Sequence, residues 1–415
     1  MPHALAQSVE ILTTVLTIAG MGYFLAALVA ARLFIAARRA PLPAFAPGVS
    51  ILKSLKGLDP NMIDAFRSHC RQTYAGEYEL LFGTSSLDDP AIAAVVQLQL
   101  EFPTHSIRHF VCPASLGTNG KVSTLIQLAT HARYDYLLIN DSDITVSQRY
   151  LERVMAQFAP LQPASPSARP PQTLGAPGLD SETWETAKPF QQVGLVTALY
   201  RGRTDGTLPS RLEALGIATD FQAGVLLSRI IEGGLHYGLG STLAVSHDAL
   251  SKIGGLEALV DHLADDYELG ARVSKAGYRV ALSAEVVETS IPAYNWRGFL
   301  DHQLRWARTV RDARPWGYAG LIFTHGLAWA MLNVLASGLS PLSVWLLALS
   351  FFLRLALAMT VGAAVLADHQ VLPNLWLLPL RDLIAIGVWA FGFAGNTIVW
   401  RGQRFELKHG KLKKL

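Results

Sequence analysis

Two apolar blocks near the ends of the sequence constrain its fold more than any other feature. Residues 11–31 contain no charged side chain, and no Asp, Glu, Lys or Arg occurs between Arg314 and Arg354. About 20 apolar residues are enough to cross a bilayer as a helix. Because 51% of the 415 residues are hydrophobic and only 16% are charged, the composition disfavours both an ordinary cytosolic enzyme and a disordered protein.

The N-terminal block predicts a retained membrane anchor over residues 11–37, after a short segment over 1–10. No Lys or Arg precedes the block, whereas Arg32, Arg38 and Arg39 follow it. A signal peptide would have a basic start and a shorter apolar core. The positive-inside rule therefore predicts an outer N-terminus and a cytoplasmic domain after the anchor.

The C-terminal block, residues 316–400, predicts a membrane region with two or three segments. We expect spans near 319–338, 342–366 and 376–399, with a turn at Ser340-Pro341. Within the last span, Arg381 and Asp382 are interpreted as an anchor pair at the membrane interface. Four full spans would place the basic tail, residues 401–415, outside, against the positive-inside rule. One C-terminal segment is therefore expected to lie in the interface or to re-enter, and the sequence leaves open which.

The middle of the chain, residues 45–315, alternates short apolar runs with helical patterns. This alternation predicts an α/β domain with a mostly parallel sheet. The predicted strands are Val49–Lys53, Tyr78–Phe82, Ile107–Val111, Tyr136–Ile139, Gly194–Ala198, Thr242–Val245 and Arg279–Leu282. Lys121–His131 and Asp265–Ala276 are predicted helices. Residues 159–189, rich in Pro and Ser, are interpreted as a surface insertion.

The strongest local pattern is a buried strand that runs directly into Asp141-Ser142-Asp143. Ligands bind at the carboxyl ends of strands in open α/β sheets. Two carboxylates one residue apart are suitable ligands for Mg²⁺ or Mn²⁺. The alternative is a turn with a helix N-cap, where Asp and Ser are common.

Two further acidic clusters follow predicted strands or begin helices. Asp88 and Asp89 could accept a hydrogen bond from a base or ribose, or could cap a helix that begins near Pro90. Asp265 and Asp266 lie in a run of four carboxylates, which a helix dipole would favour. The sharper hypothesis makes Asp266 a general base that removes a proton from an acceptor hydroxyl.

A basic aromatic pattern, His302, Arg305 and Trp306, lies on a predicted helix just before the second apolar block. Arg308 and Arg311 continue it at helical spacing. These guanidinium groups suit phosphate oxygens, although a juxtamembrane helix that binds anionic headgroups is the alternative. The apolar stretch Leu212–Tyr237 fits an interfacial helix near an acceptor or ordinary core packing equally well.

Taken in order, these motifs resemble the ceramide glucosyltransferase family of membrane glycosyltransferases (glycosyltransferase family 21, family 2-like). Within it, the chain is most similar to the bacterial hopanoid biosynthesis associated branch. The matching segments are Asp88-Asp89-Pro90-Ala91, Gly117-Thr118-Asn119-Gly120-Lys121, Asp141-Ser142-Asp143, Ala264-Asp265-Asp266-Tyr267 and His302-Gln303-Leu304-Arg305-Trp306. In the last, His302 replaces the Gln or Arg of the family pattern, which weakens any role carried over to this position.

The resemblance implies a nucleotide-sugar-binding, Rossmann-like domain of the GT-A type between N- and C-terminal membrane helices. It implies that Asp266 is the catalytic base and that Mg²⁺ or Mn²⁺ is held by Asp141 and Asp143. The implied nucleotide-sugar-binding residues are Asp89, Asn119, Lys121, Asp141, Arg305 and Trp306. Asp88, Asp265 and His302 are secondary candidates.

The function expected from this resemblance is inverting transfer of N-acetylglucosamine or glucose from a UDP-sugar to a membrane lipid. The acceptor would be a hopanoid polyol such as bacteriohopanetetrol, or a ceramide. The chain would be a multi-pass protein of the bacterial inner membrane with its catalytic domain facing the cytoplasm. The alternatives are a processive polysaccharide synthase and a non-enzymatic transporter or scaffold. A net charge of +3 gives no indication of nucleic-acid binding, and two cysteines predict neither a disulfide framework nor a zinc site.

Overall fold

A computed structural model describes residues 2–160, 192–204, 206–400 and 403–414. The predicted insertion over 159–189 lies, from residue 161 onward, outside the described residues. The described chain forms a central α/β domain, a group of apolar helices from both ends of the sequence, and a small C-terminal sheet.

Seven strands form the sheet of the central domain, and each coincides with one of the seven predicted strands. They are β1 (Val49–Leu55), β2 (Tyr78–Thr84), β3 (Ser106–Val111), β4 (Tyr136–Ile139), β5 (Val193–Arg203), β6 (Leu243–Ser246) and β7 (Arg279–Ser290). Their order is β3-β2-β1-β4-β6-β5-β7. Strand β6 runs antiparallel to both neighbours, while the other pairs are parallel. The prediction of a mostly parallel α/β sheet is confirmed.

Helices cover both faces of this sheet, as parallel strands require. In the central domain they are α2 (Met62–Cys70), α3 (Ala91–Glu101), α4 (Gly120–Ala129), α5 (Tyr150–Met155), α6 (Leu208–Gly216), α7 (Gln222–Ile231), α8 (His247–Lys252), α9 (Asp265–Lys275) and α10 (Trp296–Ala313). A π-helical turn, Ile217–Phe221, joins α6 to α7. Along β1, Ile51 faces the core under α2, α3 and α5, whereas Leu52 faces the core shared with α4 and α7.

The apolar ends of the sequence form the helices outside the central domain. They are α1 (Pro2–Ala37), α11 (Pro315–Gly320), α12 (Gly326–Ala336), α13 (Pro341–Ala358), α14 (Val371–Asn374) and α15 (Leu378–Gly392). Helices Leu5–Ala37, Leu208–Ile231, Pro341–Val365 and Val371–Gly392 are long and apolar enough to cross a membrane, and Pro315–Thr324 with Gly326–Ala336 forms a pair bent by 58°. The chain is therefore a membrane protein, as its composition predicts.

Helix α1 packs closely against α12 in antiparallel orientation. Gly20 and Gly326 lie against each other, since a Cβ atom at either position would fall within 3 Å of the other backbone. About two turns closer to the N-terminus of α1, the side chains of Thr13 and Thr14 both donate to Asn333 Oδ1 at 3.0 Å. Small residues that admit a close backbone approach and polar contacts between helices are typical of membrane-helix packing.

The segment Leu208–Ile231 is largely enclosed by protein rather than exposed. Leu212, Leu215 and Leu226 belong to the core that also contains the inner half of α1. For this part of the predicted stretch Leu212–Tyr237 the structure shows core packing. Only the end of α7 differs, where Ile230 and Ile231 are exposed.

The third C-terminal span predicted near 376–399 corresponds to the segment Val371–Gly392, which is long and apolar enough to cross a membrane, but its predicted end is wrong. The helix ends at Gly392, and strand β8 (Thr397–Trp400) follows. At the start of the segment Gln370 contacts Thr204 of the central domain, and at its end Arg311 donates to the Gly392 carbonyl at 2.6 Å. Both ends of the apolar segment Val371–Gly392 therefore lie at the central domain.

The interpretation of Arg381 and Asp382 as an interfacial anchor pair is also wrong, because both side chains are buried. Arg354 on α13 donates two hydrogen bonds to the Asp382 carboxylate, at 2.9 and 3.0 Å. Arg354 also donates to the carbonyl and hydroxyl oxygens of Thr219 in the π-helical turn. A buried charge needs such partners, and here they connect three separate segments of the chain.

The basic tail forms a second sheet of β8, β9 (Gln403–Lys408) and β10 (Lys411–Lys414). This sheet packs on the central domain: Leu412 N donates to the Asp261 carbonyl at 3.0 Å, and Leu263 N donates to the Gly410 carbonyl at 3.1 Å. Leu263 joins Phe405 and other apolar residues of the tail in one small core. The tail thus lies on the same side as the central domain.

Two glycines of α1 offer a matched test of the α1–α12 contact. Gly20→Leu should lower the melting temperature and the yield of folded protein, because overpacking a tight contact typically costs about 1–3 kcal/mol. Gly22→Leu adds the same side chain two residues further along α1, on another face of the helix, where a Cβ meets no described atom within 4 Å. Thermal unfolding in detergent measures both. Equal melting temperatures for the two variants would contradict this packing.

Candidate active site at the carboxyl ends of the strands

The turn after β4 is held in place by hydrogen bonds from Asn140 and Ser142, which flank Asp141. Asn140 is buried and donates to the Ser241 carbonyl at 2.6 Å and to the Tyr150 hydroxyl at 3.0 Å. The Ser142 hydroxyl donates to the Asp59 carboxylate, on the loop after β1. These bonds orient Asp141 and Asp143 at the edge of the sheet.

Asp143 points toward the end of β7. Its Oδ2 accepts hydrogen bonds from the Thr289 hydroxyl at 2.6 Å and the Ser290 amide at 2.8 Å. Burial and the nearby charge of Asp141 raise the pKa of the Asp143 carboxyl. A cation beside the two carboxylates would relieve this repulsion.

The Asp141 side chain is 46% exposed and pairs with Lys121, whose Nζ lies 2.7 Å from Asp141 Oδ1. The same ammonium group lies 3.5 Å from Asp265 Oδ2. Burial alone would lower the pKa of Lys121, but Asp141 and Asp265 more than offset this and raise it. Lys121 therefore brings together two of the acidic motifs recognised in the sequence.

Asp266 lies next to this group, at the start of α9. Burial and the charge of Asp265 raise the pKa of its carboxyl to about 6, while Lys121 acts in the opposite direction. The Tyr267 amide donates to Asp266 Oδ1 at 2.8 Å. Gly240 faces the other oxygen, since a Cβ there would lie only 3.0 Å from Asp266 Oδ2. The carboxylate is thus partly enclosed and is suited to accept a proton near neutral pH.

Asn119 holds Lys121 in position through hydrogen bonds to the backbone. Its Oδ1 caps α4 by accepting from the Lys121 and Val122 amides, and its Nδ2 donates to the His262 carbonyl at 2.8 Å. The side chain is fully buried. Its contacts are those of a positioning residue, which orients Lys121 and the loop before Asp265.

Asp89, which follows β2, also holds the backbone in position. Its carboxylate accepts hydrogen bonds from the Gly57 amide at 3.0 and 3.1 Å and from the Ala91 amide at 2.9 Å. It therefore connects the loop after β1 with the start of α3, and the same loop carries Asp59, the partner of Ser142. Asp88 is exposed beside it.

Lys53 is a buried residue of this site that the sequence patterns did not single out. It lies within β1 and is fully buried, and its Nζ donates to the Asp141 carbonyl at 3.0 Å. Burial lowers the pKa of Lys53 to about 7, against the attraction of Asp143 and Asp141. A lysine that is the only charged residue of the segment Val49–Leu55 was the available sequence signal.

His302 and Trp306 lie on α10, on the side of the site that faces α6. His302 Nδ1 lies 2.9 Å from Glu213 Oε1, and the His302 ring stacks on Tyr294 with 5.5 Å between ring centroids. Trp306 lies 5.1 Å from the His302 ring. Glu213, a buried carboxylate on α6, was not predicted.

Tyr200 connects the two halves of the site. Burial raises the pKa of its hydroxyl, and the charges of Asp266, Glu213 and Asp141 add to this effect. The Tyr200 hydroxyl thus lies within electrostatic range of the acidic group around Lys121 and of Glu213. Arg305 lies near Tyr294. Burial raises the pKa of Tyr294, and the positive charge of Arg305 opposes this rise.

Arg308 and Arg311 do not serve the phosphate-binding role considered for them. Arg308 donates to the carbonyls of Thr397 and Ala394, at 2.5 and 2.8 Å, and Arg311 donates to those of Gly392 and Gly395. Their guanidinium groups hold the chain that leads into the C-terminal sheet. Spacing along a helix could not distinguish this use from binding of phosphate.

The donor set around the turn after β4 fits Mg²⁺ or Mn²⁺. Within the described residues, no three His, Cys, Asp or Glu side chains form a closed metal site. Magnesium, however, usually takes one or two carboxylates and completes its shell with water and substrate phosphates. Asp141 and Asp143 supply two such carboxylates at an accessible edge of the sheet.

Comparisons with known proteins agree with this architecture. A profile described as "Glycosyl transferase family 21" matches residues 12–176 and 184–413. Ceramide glucosyltransferase 3 of Caenorhabditis elegans is 25% identical over 378 residues, which cover 88% of this chain and 73% of that protein. Ceramide glucosyltransferase 1 of the same organism is 23% identical over 375 residues, which cover 88% and 72%.

A solved structure has a similar fold. A mannosyltransferase from Pyrobaculum calidifontis, determined with GDP-mannose and Mn²⁺, matches 93% of this chain and 99% of its own with a TM-score of 0.52 and 18% sequence identity. At this identity the likeness concerns the fold alone. It agrees with the α/β architecture of the GT-A type that the sequence predicts.

Proposed function

The chain belongs to glycosyl transferase family 21, and on this basis we propose that it transfers one sugar from a UDP-sugar to the hydroxyl group of a membrane lipid. The observation that carries the proposal is the group formed by Asp141, Lys121, Asp265 and Asp266 at the carboxyl edge of the sheet. The expectation of a glycosyltransferase rather than a transporter or scaffold is confirmed. The donor, the acceptor and the stereochemistry are part of the proposal.

In the proposed reaction Asp266 acts as general base. Its carboxylate takes the proton of the lipid hydroxyl as the oxygen attacks the anomeric carbon, and the bond between that carbon and the UDP oxygen breaks in the same step. Attack opposite the leaving group inverts the anomeric configuration. Lys121 supports this role, because its positive charge opposes the effect of burial on Asp266. The base is then ionised above about pH 6.

Asp141 and Asp143 would hold Mg²⁺ or Mn²⁺, which offsets the negative charge of the departing diphosphate when it is bound. Lys53, beneath Asp141, fixes the turn that carries both carboxylates. Asp89 and Asp59 keep the neighbouring loop against this turn. These residues orient the donor side of the site, whereas Trp306 and the Glu213–His302 pair face the side on which the membrane helices lie.

The identity of the product tests the proposal. Membranes that contain the protein should convert a UDP-sugar and a bacterial lipid extract into a glycolipid, identified by mass spectrometry. Parallel reactions with UDP-glucose and UDP-N-acetylglucosamine, and with bacteriohopanetetrol and ceramide as acceptors, identify the substrates. Nuclear magnetic resonance of the anomeric proton should show inversion relative to the donor. A water-soluble glycan would favour a polysaccharide synthase instead.

The pH dependence of the reaction tests the role of Asp266. A general base must be deprotonated, so kcat/KM should rise through about pH 6 and level off above it. Asp266→Asn should lower kcat by about 10²–10⁴-fold and abolish this step in the profile. Asp64→Asn, which changes an exposed carboxylate on α2, should retain the activity and pH profile of the unaltered protein. Full activity of Asp266→Asn would rule out its role as the base.

Contacts between the apolar helices support a proposal for the membrane topology. We propose that α1 crosses inward, that Pro315–Ala336 crosses outward and that Pro341–Val365 returns. Two contacts support this order: α1 and α12 are antiparallel, and Arg38 at the inner end of α1 donates to the Val365 carbonyl at 2.6 Å. Val371–Gly392 then stays at the cytoplasmic surface, and the basic tail remains with the catalytic domain.

Cysteine labelling in bacterial spheroplasts tests this topology. In a background of Cys70→Ala and Cys112→Ala, Gln7→Cys and Leu339→Cys should react with a membrane-impermeant maleimide added outside. Lys414→Cys should react only after permeabilisation. Labelling of Lys414→Cys in intact spheroplasts would place the tail outside. Protection of Leu339→Cys would make the α12–α13 hairpin re-entrant.

A further inference from the structure

A cavity of about 470 Å³ opens far from the carboxylates, where α1, α7 and the start of β7 meet. Strand β7 begins at this cavity with Arg279, and its opposite end contacts Asp143 through Thr289 and Ser290. Seven residue steps of strand, from Leu282 at the cavity to Thr289, separate the two sites by about 20 Å. The cavity is therefore distinct from the proposed active site.

Two arginines give this cavity its charge. Arg229 on α7 and Arg279 both line it, and within the described residues neither guanidinium group takes part in an ion pair or a hydrogen bond. The nearby carboxylate of Glu232 is engaged by Arg314 at 2.9 Å. Among the described residues that line the cavity there is no Asp or Glu. Two like charges facing one space, without a carboxylate to offset them, favour an anionic ligand.

The opposite wall of the cavity is apolar and continuous with the membrane surface. Leu33 of α1 lines the cavity and is 56% exposed, and Ile230 of α7 is 45% exposed beside it. The ion pair between Glu232 and Arg314 brings the end of α7 next to the start of α11, where the Trp316 side chain is 90% exposed. An exposed tryptophan beside basic residues is typical of the headgroup region of a bilayer.

From these observations we propose that the cavity binds the headgroup of an anionic membrane phospholipid. Arg229 and Arg279 hold the phosphate group by charge-assisted hydrogen bonds, which guanidinium groups form well with phosphate oxygens. The acyl chains lie against Leu33 and Ile230 and continue into the bilayer. This site lies apart from sugar transfer and does not depend on the proposed reaction.

Short-chain lipids test the proposal with the full-length protein in an uncharged detergent. Dioctanoyl phosphatidylglycerol should raise the melting temperature in a saturable manner, whereas dioctanoyl phosphatidylcholine and inorganic phosphate should not. In Arg229→Gln/Arg279→Gln the lipid concentration that gives half of the maximal shift should rise by about tenfold or more, because both charge-assisted contacts to the phosphate are lost. Arg279→Gln alone changes an exposed side chain, leaves the packing intact and should weaken binding in the same direction.

Arg39→Gln serves as the matched control. It removes an exposed cation just beyond α1 but outside the cavity, so it should leave lipid binding within about twofold of the unaltered protein, as expected for a screened surface charge. An equal loss of lipid binding in this control would show that the effect is a general attraction between basic residues and anionic lipid, which would contradict a specific site. An unchanged response in the double variant, or an equal response to inorganic phosphate or phosphatidylcholine, would overturn the proposal.

Discussion

The apolar surface of α1 serves two environments, and the rest of the structure depends on this division. Leu25, Val29 and Leu33 are exposed, as expected of side chains that face lipid. On the other side of the helix, Ala27, Ala30 and Phe34 belong to the same hydrophobic core as the sheet and α7. The membrane anchor and the catalytic domain therefore share one packed interior. The proposed active site is thereby held at a fixed position relative to α1.

Charge compensation is the second organising feature, and it acts at the carboxyl edge of the sheet. Asp141, Asp143, Asp265 and Asp266 are brought close together, although like charges oppose such a cluster. Lys121 offsets part of this cost through its contacts with Asp141 and Asp265. The remaining cost is visible in the raised pKa values of Asp143 and Asp266. A carboxylate held this way is a better base near neutral pH than an exposed one.

The strands could be predicted because each is a short apolar run between helical patterns. The acidic motifs could be predicted because they directly follow such runs or begin helices. Lys53 and Glu213 escaped prediction since their importance comes from partners far away in the sequence, Asp141 and His302. The same holds for Arg354 and Asp382, whose ion pair places buried charge inside an apolar helix group. Hydropathy identifies segments that are long enough to cross a bilayer, but only tertiary contacts decide which of them return to the domain.

The docking of the C-terminal sheet has a consequence for how the protein is made. Residues 261–263, which lead directly into Asp265 and Asp266, pair with Gly410 and Leu412. During synthesis the ribosome reaches those residues only after helices α1 to α15, the apolar ones among them, have been translated. The loop that leads into Asp265 and Asp266 thus gains these backbone partners only after those helices have been made. Assembly of the acidic group is thereby coupled to the synthesis of the apolar helices.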